Sequence, residues 1–478
     1  MMINIVLMIN AAAGFRRFGR FWSGRHAHIA CTICAISIHI FSFLHICCVI
    51  LFYDDRMDLL NKIENLVCES LTRCVIIQSL IKIGEMKFMA TARKQRKKSK
   101  LFYDYNLVAV ILLLMCFGLI MLYSTSAYVA SIQFNDDMYY FRKQAMISIA
   151  SLFWAFLISR VDYHIYTKFP TVIYLAAAFF MFLVRTPLGV TVNGAKRWLK
   201  IGPLQFQPSE LAKLAIILCL PYLIVKMGKK ISTRKGFITI FVIGMMLGAM
   251  TFFFTDNLST AIIVCGITAG MIFIAHPRTK EFLIALGAVA GVGAVGLAIL
   301  IANLENSDNF RLQRILVWLH PEDYMKSEGY QIMQALYAIG SGGIFGKGLG
   351  NSVQKLGWVP EAQNDMIFSI ICEELGIFGC CITMMLFGYL LYRLFFIAQN
   401  AADLYGTLVV SGIFIHIALQ VILNICVVIN LIPTTGITLP FISYGGTSIL
   451  FLMTEMGIAL SVARGIKFQS PESTLSAF

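Results

Sequence analysis

Residues Gly329 to Gly379 read GYQIMQALYAIGSGGIFGKGLGNSVQKLGWVPEAQNDMIFSIICEELGIFG. A glycine-rich loop carrying acidic and basic residues runs straight into an apolar segment of membrane length. A crossing helix needs about 20 mostly apolar residues, and the run from Asp365 to Phe395 supplies them. The ionisable groups of this stretch therefore sit at a boundary between water and lipid. Glu361 and Asp365 flank the start of the apolar segment, Lys355 precedes them, and Glu373 and Glu374 lie inside it. A carboxylate at the end of a span keeps contact with water while pocket walls raise its basicity, which suits a general base acting on a hydroxyl group. Asp also favours helix starts, so Asp365 as a plain cap of the following helix is the competing reading.

Outward from this stretch, composition sets the class. The chain is 58% hydrophobic and 13% charged, with a mean hydropathy of +0.77, against about 25% charged residues in a soluble domain. This predicts an all-α polytopic membrane protein. Ten apolar stretches qualify as transmembrane helices: Leu107 to Ala127, Gln144 to Val161, Phe169 to Val184, Pro208 to Val225, Phe237 to Phe254, Ser259 to Ala275, Phe282 to Ile301, Asp365 to Phe395, Gly406 to Asn430 and Tyr444 to Val462. A large loop, Asn303 to Asn364, separates the seventh from the eighth.

Lys and Arg concentrate in loops that stay in the cytoplasm. The run Arg93 to Lys100, the loop carrying Lys226, Lys229, Lys230, Arg234 and Lys235, and the pair Arg278 and Lys280 all fall on one face of an alternating ten-span layout, as do Arg393, Arg464 and Lys467. That face is expected inside, with the large loop outside. The net charge of +14 then reads as anchoring to anionic lipid, and no nucleic-acid-binding pattern is present.

Residues 1–85 fit this layout poorly. Ile29 to Tyr53 is apolar enough to span, but one extra crossing would carry the Arg93 to Lys100 cluster outside. Met86 and Met89 precede an ordinary cytoplasmic start, so 1–85 are expected to be an upstream extension from a misassigned start, with a genuine extra helix as the alternative. The organisation is then 1–85 extension, 86–105 basic cytoplasmic segment, 106–465 ten-helix membrane domain and 466–478 cytoplasmic tail. Six of the 13 cysteines lie in 1–85. Cys31 and Cys34 form a CxxC without a second ligand pair at zinc spacing. The other seven fall in predicted spans and read as small apolar core residues, and the scattered histidines, His416 among them, show no ligand spacing.

Three further constellations carry polar chemistry. Val192 to Pro203 is an outer loop with Lys196, Arg197 and Lys200 beside Trp198. Cations on an outer loop run against the orientation rule, so lipid phosphates are a natural partner; an interface anchor is the alternative. Phe206 to Lys213 places Pro208 in a first helical turn, preceded by Gln207 and followed by Ser209. Glu210 and Lys213 share a face three residues apart, either as a helix-locking pair or lining a cavity. Ile432 to Ser448 holds two prolines and several glycines around Ser443. Irregular backbone at membrane depth is tolerated only where protein or water satisfies it, so a re-entrant or cavity-lining segment is predicted.

The segments NGAKRWLKIGPLQFQPSELAK, GYQIMQALYAIGSGGIFGKGLGNSVQK, VPEAQNDMIFSIICEELG and LPFISYGGTS stand in the order and spacing of the SEDS family (shape, elongation, division and sporulation), which the chain resembles from about Tyr103 to Lys467, closest to its division branch. The resemblance implies a ten-helix peptidoglycan glycosyltransferase in the bacterial cytoplasmic membrane, at the division septum. It would polymerise lipid II on the outer side, working with a class B penicillin-binding protein transpeptidase and other division proteins. The family's outer-loop aspartate maps to Asp365, within Gln363-Asn364-Asp365-Met366-Ile367-Phe368, where the commoner wording is HTDFIF. Nothing in 1–85 takes part in the resemblance.

In those terms Asp365 deprotonates the acceptor's GlcNAc 4-hydroxyl, and attack on the α-linked anomeric carbon inverts it to a β-1,4 bond. Lys355, Lys196 and Arg197 are the candidates for the pyrophosphate, and a divalent cation, Mg or Mn, could share that task. Glu361, Gln207, Ser209, Glu210, Lys213 and Ser443 complete the expected substrate-binding set. A lipid II flippase or other transporter is the rival class, since ten spans and a broken segment also suit transport. A scaffold for division proteins needs no reactive carboxylate, and elongation and sporulation roles are open within the family.

Overall fold

The computed structural model describes residues 103–192, 195–201, 204–276, 316–325 and 329–466, with the single residues 287 and 291. The extension 1–85, the Arg93 to Lys100 cluster, the Cys31–Cys34 pair, the seventh expected span and the tail from 467 lie outside the described residues.

Ten helices of the described residues are labelled here α1 (Tyr105–Phe134), α2 (Tyr139–Arg160), α3 (Pro170–Leu183), α4 (Pro208–Met227), α5 (Arg234–Thr255), α6 (Leu258–Ala275), α7 (Gly329–Ser341), α8 (Ile367–Asn400), α9 (Leu404–Val428) and α10 (Thr447–Arg464). Eight of them are long and apolar enough to cross a membrane, and α3 is a shorter apolar helix. Nine of the ten expected spans thus coincide with helices; α7, amphipathic and only 13 residues long, belongs to the large loop.

Helix starts follow local chemistry. The Asp104 carboxylate accepts from Leu107 N at 3.0 Å to open α1, Thr233 Oγ1 accepts from Gly236 N to open α5, and Asn257 Oδ1 accepts from Thr260 N to open α6. Such caps satisfy amides that have no partner within the helix. Pro170 and Pro208 occupy the first turns of α3 and α4, where a missing N–H costs nothing.

Helix α9 is the hub. It packs against α4, α6, α8 and α10 and is buried around most of its length, whereas α2 and α5 keep most of their surface for lipid. Helix α10 lies along α2, and α8 along α1. The segment between α9 and α10 crosses α1 at Gly118, where a Cβ would stand 2.6 Å from the Phe441 carbonyl oxygen. Only a residue without a side chain admits that approach.

Three features depart from the expectations. The described residues of the expected outer loop, 192 and 195–201, belong to a three-stranded antiparallel sheet, β1 (Gly189–Val192), β2 (Ala195–Ile201) and β3 (Leu204–Phe206). Val190 pairs with Trp198 and Leu199 with Phe206, with an irregularity after Val190. Helix α8 begins at Ile367 rather than Asp365 and is broken at Gly376 (φ 63°, ψ −157°). The freed amides of Ile377 and Phe378 donate to the carbonyls of Gly343 and Ile344, so the glycine-rich loop completes the interrupted helix. Cys372 and Cys380 meet across this break with sulfur atoms 2.7 Å apart. Finally, Cys116 is exposed on α1 rather than part of the core.

Candidate active site

Asp365 closes the turn that leads into α8. It is half-buried, and the capping position belongs to Met366, where no side chain caps the helix. The capping reading of Asp365 therefore fails: its carboxylate is not spent on the first turn of α8. Two contacts join the turn to the irregular segment before α10. Tyr444 N donates to the Gln363 carbonyl at 2.9 Å. The Asn424 side chain, reaching from α9, donates to the Asp365 carbonyl at 2.8 Å and to the Ile437 carbonyl at 2.6 Å. Beside Asp365 stands Gly436, at φ 69°.

The irregular segment is satisfied by protein, as irregular backbone at membrane depth requires. Gln420 donates to the Thr438 carbonyl at 3.0 Å, and Ser259 to the Thr435 carbonyl at 2.7 Å. Ser443, expected to touch substrate, is buried; its hydroxyl accepts from Leu439 N at 2.8 Å, and Gln144 donates to its carbonyl at 3.4 Å. Tyr444 is half-buried. Glu361 is exposed, in a left-handed conformation at φ 55°, and its carboxylate accepts from the Asn364 side chain.

The cations occupy two places. Lys355 is buried, 2.7 Å from Glu374 and 2.9 Å from the Ser124 hydroxyl. Ser124 in turn donates to Glu374 at 2.7 Å. The structure thus commits Lys355 to an internal ion pair, where the sequence pointed to a free outer-loop charge. Glu373 holds the same loop by other means, pairing with Lys347 at 2.7 Å and accepting from Val353 N and Gln354 N. These adjacent carboxylates of α8 fold the loop back onto the helix.

Lys196 and Arg197 lie on β2. Lys196 Nζ donates to the Thr186 carbonyl at 2.8 Å, and Arg197 to the Asp256 carbonyl at 3.3 Å, so both tie the sheet to the ends of α3 and α5. Both are half-buried. Arg185 joins them through the Asp256 carboxylate at 3.2 Å.

Glu210 and Lys213 pair as their spacing implies, at 2.9 Å, and the pair is woven into neighbouring helices. Ser448 of α10 donates to Glu210 at 3.1 Å, and Lys213 donates to Gln420 of α9 at 3.3 Å. Ser209 is fully buried, and Gln207 is half-buried just before α4. Thr447 Oγ1 reaches the Gln205 carbonyl at 3.4 Å, joining β3 to the start of α10.

Sequence reasoning missed Asn424, Gln420 and Gln144, and also two buried pairs, Asp104–Arg393 at 2.6 Å and His416–Glu455 at 2.8 Å. The available signal was the presence of polar residues inside apolar spans, with Gln420 and Asn424 four apart on one face. Among the described residues, no three or more His, Cys, Asp or Glu side chains gather as a metal-binding group.

The family model described as a cell cycle protein, FtsW/RodA/SpoVE, matches residues 104–467. Stage V sporulation protein E of Bacillus subtilis (strain 168) is 39% identical over 364 residues, spanning 76% of this chain and 97% of that protein. A probable peptidoglycan glycosyltransferase FtsW of Trichlorobacter lovleyi is 34% identical over 367 residues, 76% of this chain and 94% of that protein. Among solved structures, one described as "Structural coordination of polymerization and crosslinking by a peptidoglycan synthase complex" superposes with a TM-score of 0.64 at 27% identity, covering 77% of this chain and 99% of that one.

Proposed function

We propose a function that starts from one fact: the chain belongs to the FtsW, RodA and SpoVE family of cell cycle proteins. It is a peptidoglycan glycosyltransferase, joining lipid II units into β-1,4 glycan strands in septal wall synthesis. The observation that carries the mechanism is the placement of Asp365. Its carboxylate belongs to the turn before α8, takes no part in capping that helix, and stands beside Gly436 of the irregular segment.

A half-buried carboxylate at such a boundary can accept the proton of a sugar hydroxyl while the lipid tail stays in the membrane. Asp365 takes the proton of the acceptor's 4-hydroxyl as that oxygen attacks the anomeric carbon and the pyrophosphate leaves. The leaving group is already activated and needs charge neutralisation more than protonation. Arg197 and Lys196, on the sheet that abuts the start of α10, supply positive charge for it. Glu361 is the exposed carboxylate of the same turn. A divalent cation, Mg or Mn, is a further partner for the pyrophosphate, although among the described residues no three or more His, Cys, Asp or Glu side chains gather as a metal-binding group. Lys355 acts indirectly in this reading, by holding the loop that precedes Asp365.

The site faces the outer side of the cytoplasmic membrane, and the working assembly pairs this chain with a class B penicillin-binding protein among the other division proteins. The structural relative is itself described as part of a peptidoglycan synthase complex. The deciding experiment supplies labelled lipid II to the purified chain with that transpeptidase and resolves the products by length. Glycan ladders support the proposal; movement of lipid II across vesicles without ladders would place the chain among transporters instead.

A further inference from the structure

We propose that Asn424 is the positioning residue for Asp365: its side-chain amide ties the aspartate's backbone to Ile437 and thereby holds the carboxylate against Gly436. The inference rests on the reading of Asp365 as the base.

Asn424 is fully buried in α9. An amide inside an apolar span is costly unless its hydrogen bonds are made. Here the two protons of one nitrogen serve two carbonyls from separate parts of the chain, Asp365 at 2.8 Å and Ile437 at 2.6 Å. Both neighbours are acceptors, so the nitrogen must be the atom that faces them. One turn earlier on the same face, Gln420 donates to the next carbonyl, Thr438, and accepts from Lys213. The two amides hold consecutive peptide groups of the irregular segment. Asn424 alone of the pair reaches the turn that carries the carboxylate.

The need for such a tie follows from the start of α8. No side chain caps that helix, so its own first turn does not lock the preceding residues. A Cβ at Gly436 would stand 3.9 Å from Asp365 Oδ2. Asn424 grips both sides of this contact, the Asp365 carbonyl and the peptide group joining Ile437 to Thr438, one residue on from Gly436. Losing it removes one of the two described ties between the turn and the segment, leaving Tyr444 N on the Gln363 carbonyl, and small misplacements of a catalytic group are expensive.

The test uses the full chain with its transpeptidase and labelled lipid II. Asn424→Leu keeps the approximate bulk and removes both donors, and Asn424→Asp replaces the donors with charge. The expected result is a fall in kcat of about tenfold to a hundredfold, as for one or two lost buried hydrogen bonds, with KM held within about twofold. The acid limb of the kcat profile should move as well, because the base no longer keeps its surroundings. Thermal melting in detergent reports folding; should both variants unfold, Asn424→Ser, which adds no bulk, decides by the same kcat measurement. Wild-type kcat in a folded variant, or a loss confined to KM, overturns the proposal. Asp365→Asn, measured alongside, separates the two ideas. Activity in Asp365→Asn sinks the reading of the base itself, whereas an inactive Asp365→Asn beside fully active Asn424 variants sinks only the positioning role.

Discussion

Asp365 and Gly436 face each other, so that a single added carbon on the glycine would lie 3.9 Å from the aspartate's Oδ2, in ordinary van der Waals contact. One residue ends the large loop before α8; the other lies in the irregular segment before α10. Their meeting encloses a carboxylate between two non-helical stretches, and α9 supplies the polar side chains that neither stretch provides for itself. A rigid helical hub thus carries two pieces of backbone that could not hold their shape in lipid alone.

Asp365→Asn should abolish glycan polymerisation while leaving melting and expression near those of the natural chain. The substitution keeps size and shape and removes only the basic oxygen. Product ladders from labelled lipid II provide the measurement, and an unchanged rate would remove Asp365 from the mechanism.

Gly436→Ala should lower both stability and activity. At φ 69° a residue with a Cβ is strained by about 1 kcal/mol or more, and the added methyl sits against the Asp365 carboxylate. A modest drop in melting temperature accompanied by a much larger drop in kcat is expected. Loss of stability with kcat intact would show that the approach of the two residues is irrelevant to the reaction.

Lys355→Ala should damage folding more than substrate binding. It leaves the fully buried Glu374 without its cation, and breaking a buried pair from one side costs about 3 to 5 kcal/mol. Pairing it with Glu374→Leu should restore much of the lost stability, because the stranded charge is then gone. A double variant no more stable than Lys355→Ala would contradict the ion-pair account.

Arg197→Ala should weaken use of lipid II, raising KM or lowering kcat/KM by one to two orders of magnitude, as expected for a charge-assisted contact to phosphate worth about 1.5 to 3 kcal/mol. Alanine at Lys229 and Lys230, in the turn between α4 and α5, should change little. Kinetics at limiting lipid II distinguish these sets; equal effects would reduce Arg197 to a tie between the sheet and α5.

The sequence by itself determined the membrane class, most of the spans and the carboxylate at the boundary, because each depends on local composition. An excess of apolar residues in runs of about 20 is a property of the run. The Glu210–Lys213 pair was equally legible, since three residues of helix bring two side chains to one face. The tertiary structure alone decided which polar groups meet. Lys355 reads as an open outer-loop cation until the loop folds back onto α8 and delivers it to Glu374 and Ser124. The fold-back depends on the break at Gly376, yet Gly379 and Gly388 in the same segment remain helical, so glycine content does not mark the place. Asn424 likewise looks like an isolated amide in an apolar span until α9 is packed at the centre. Its value comes from two carbonyls on opposite sides of it in the chain, 59 and 13 residues away, and only the assembled bundle brings both within reach of one nitrogen.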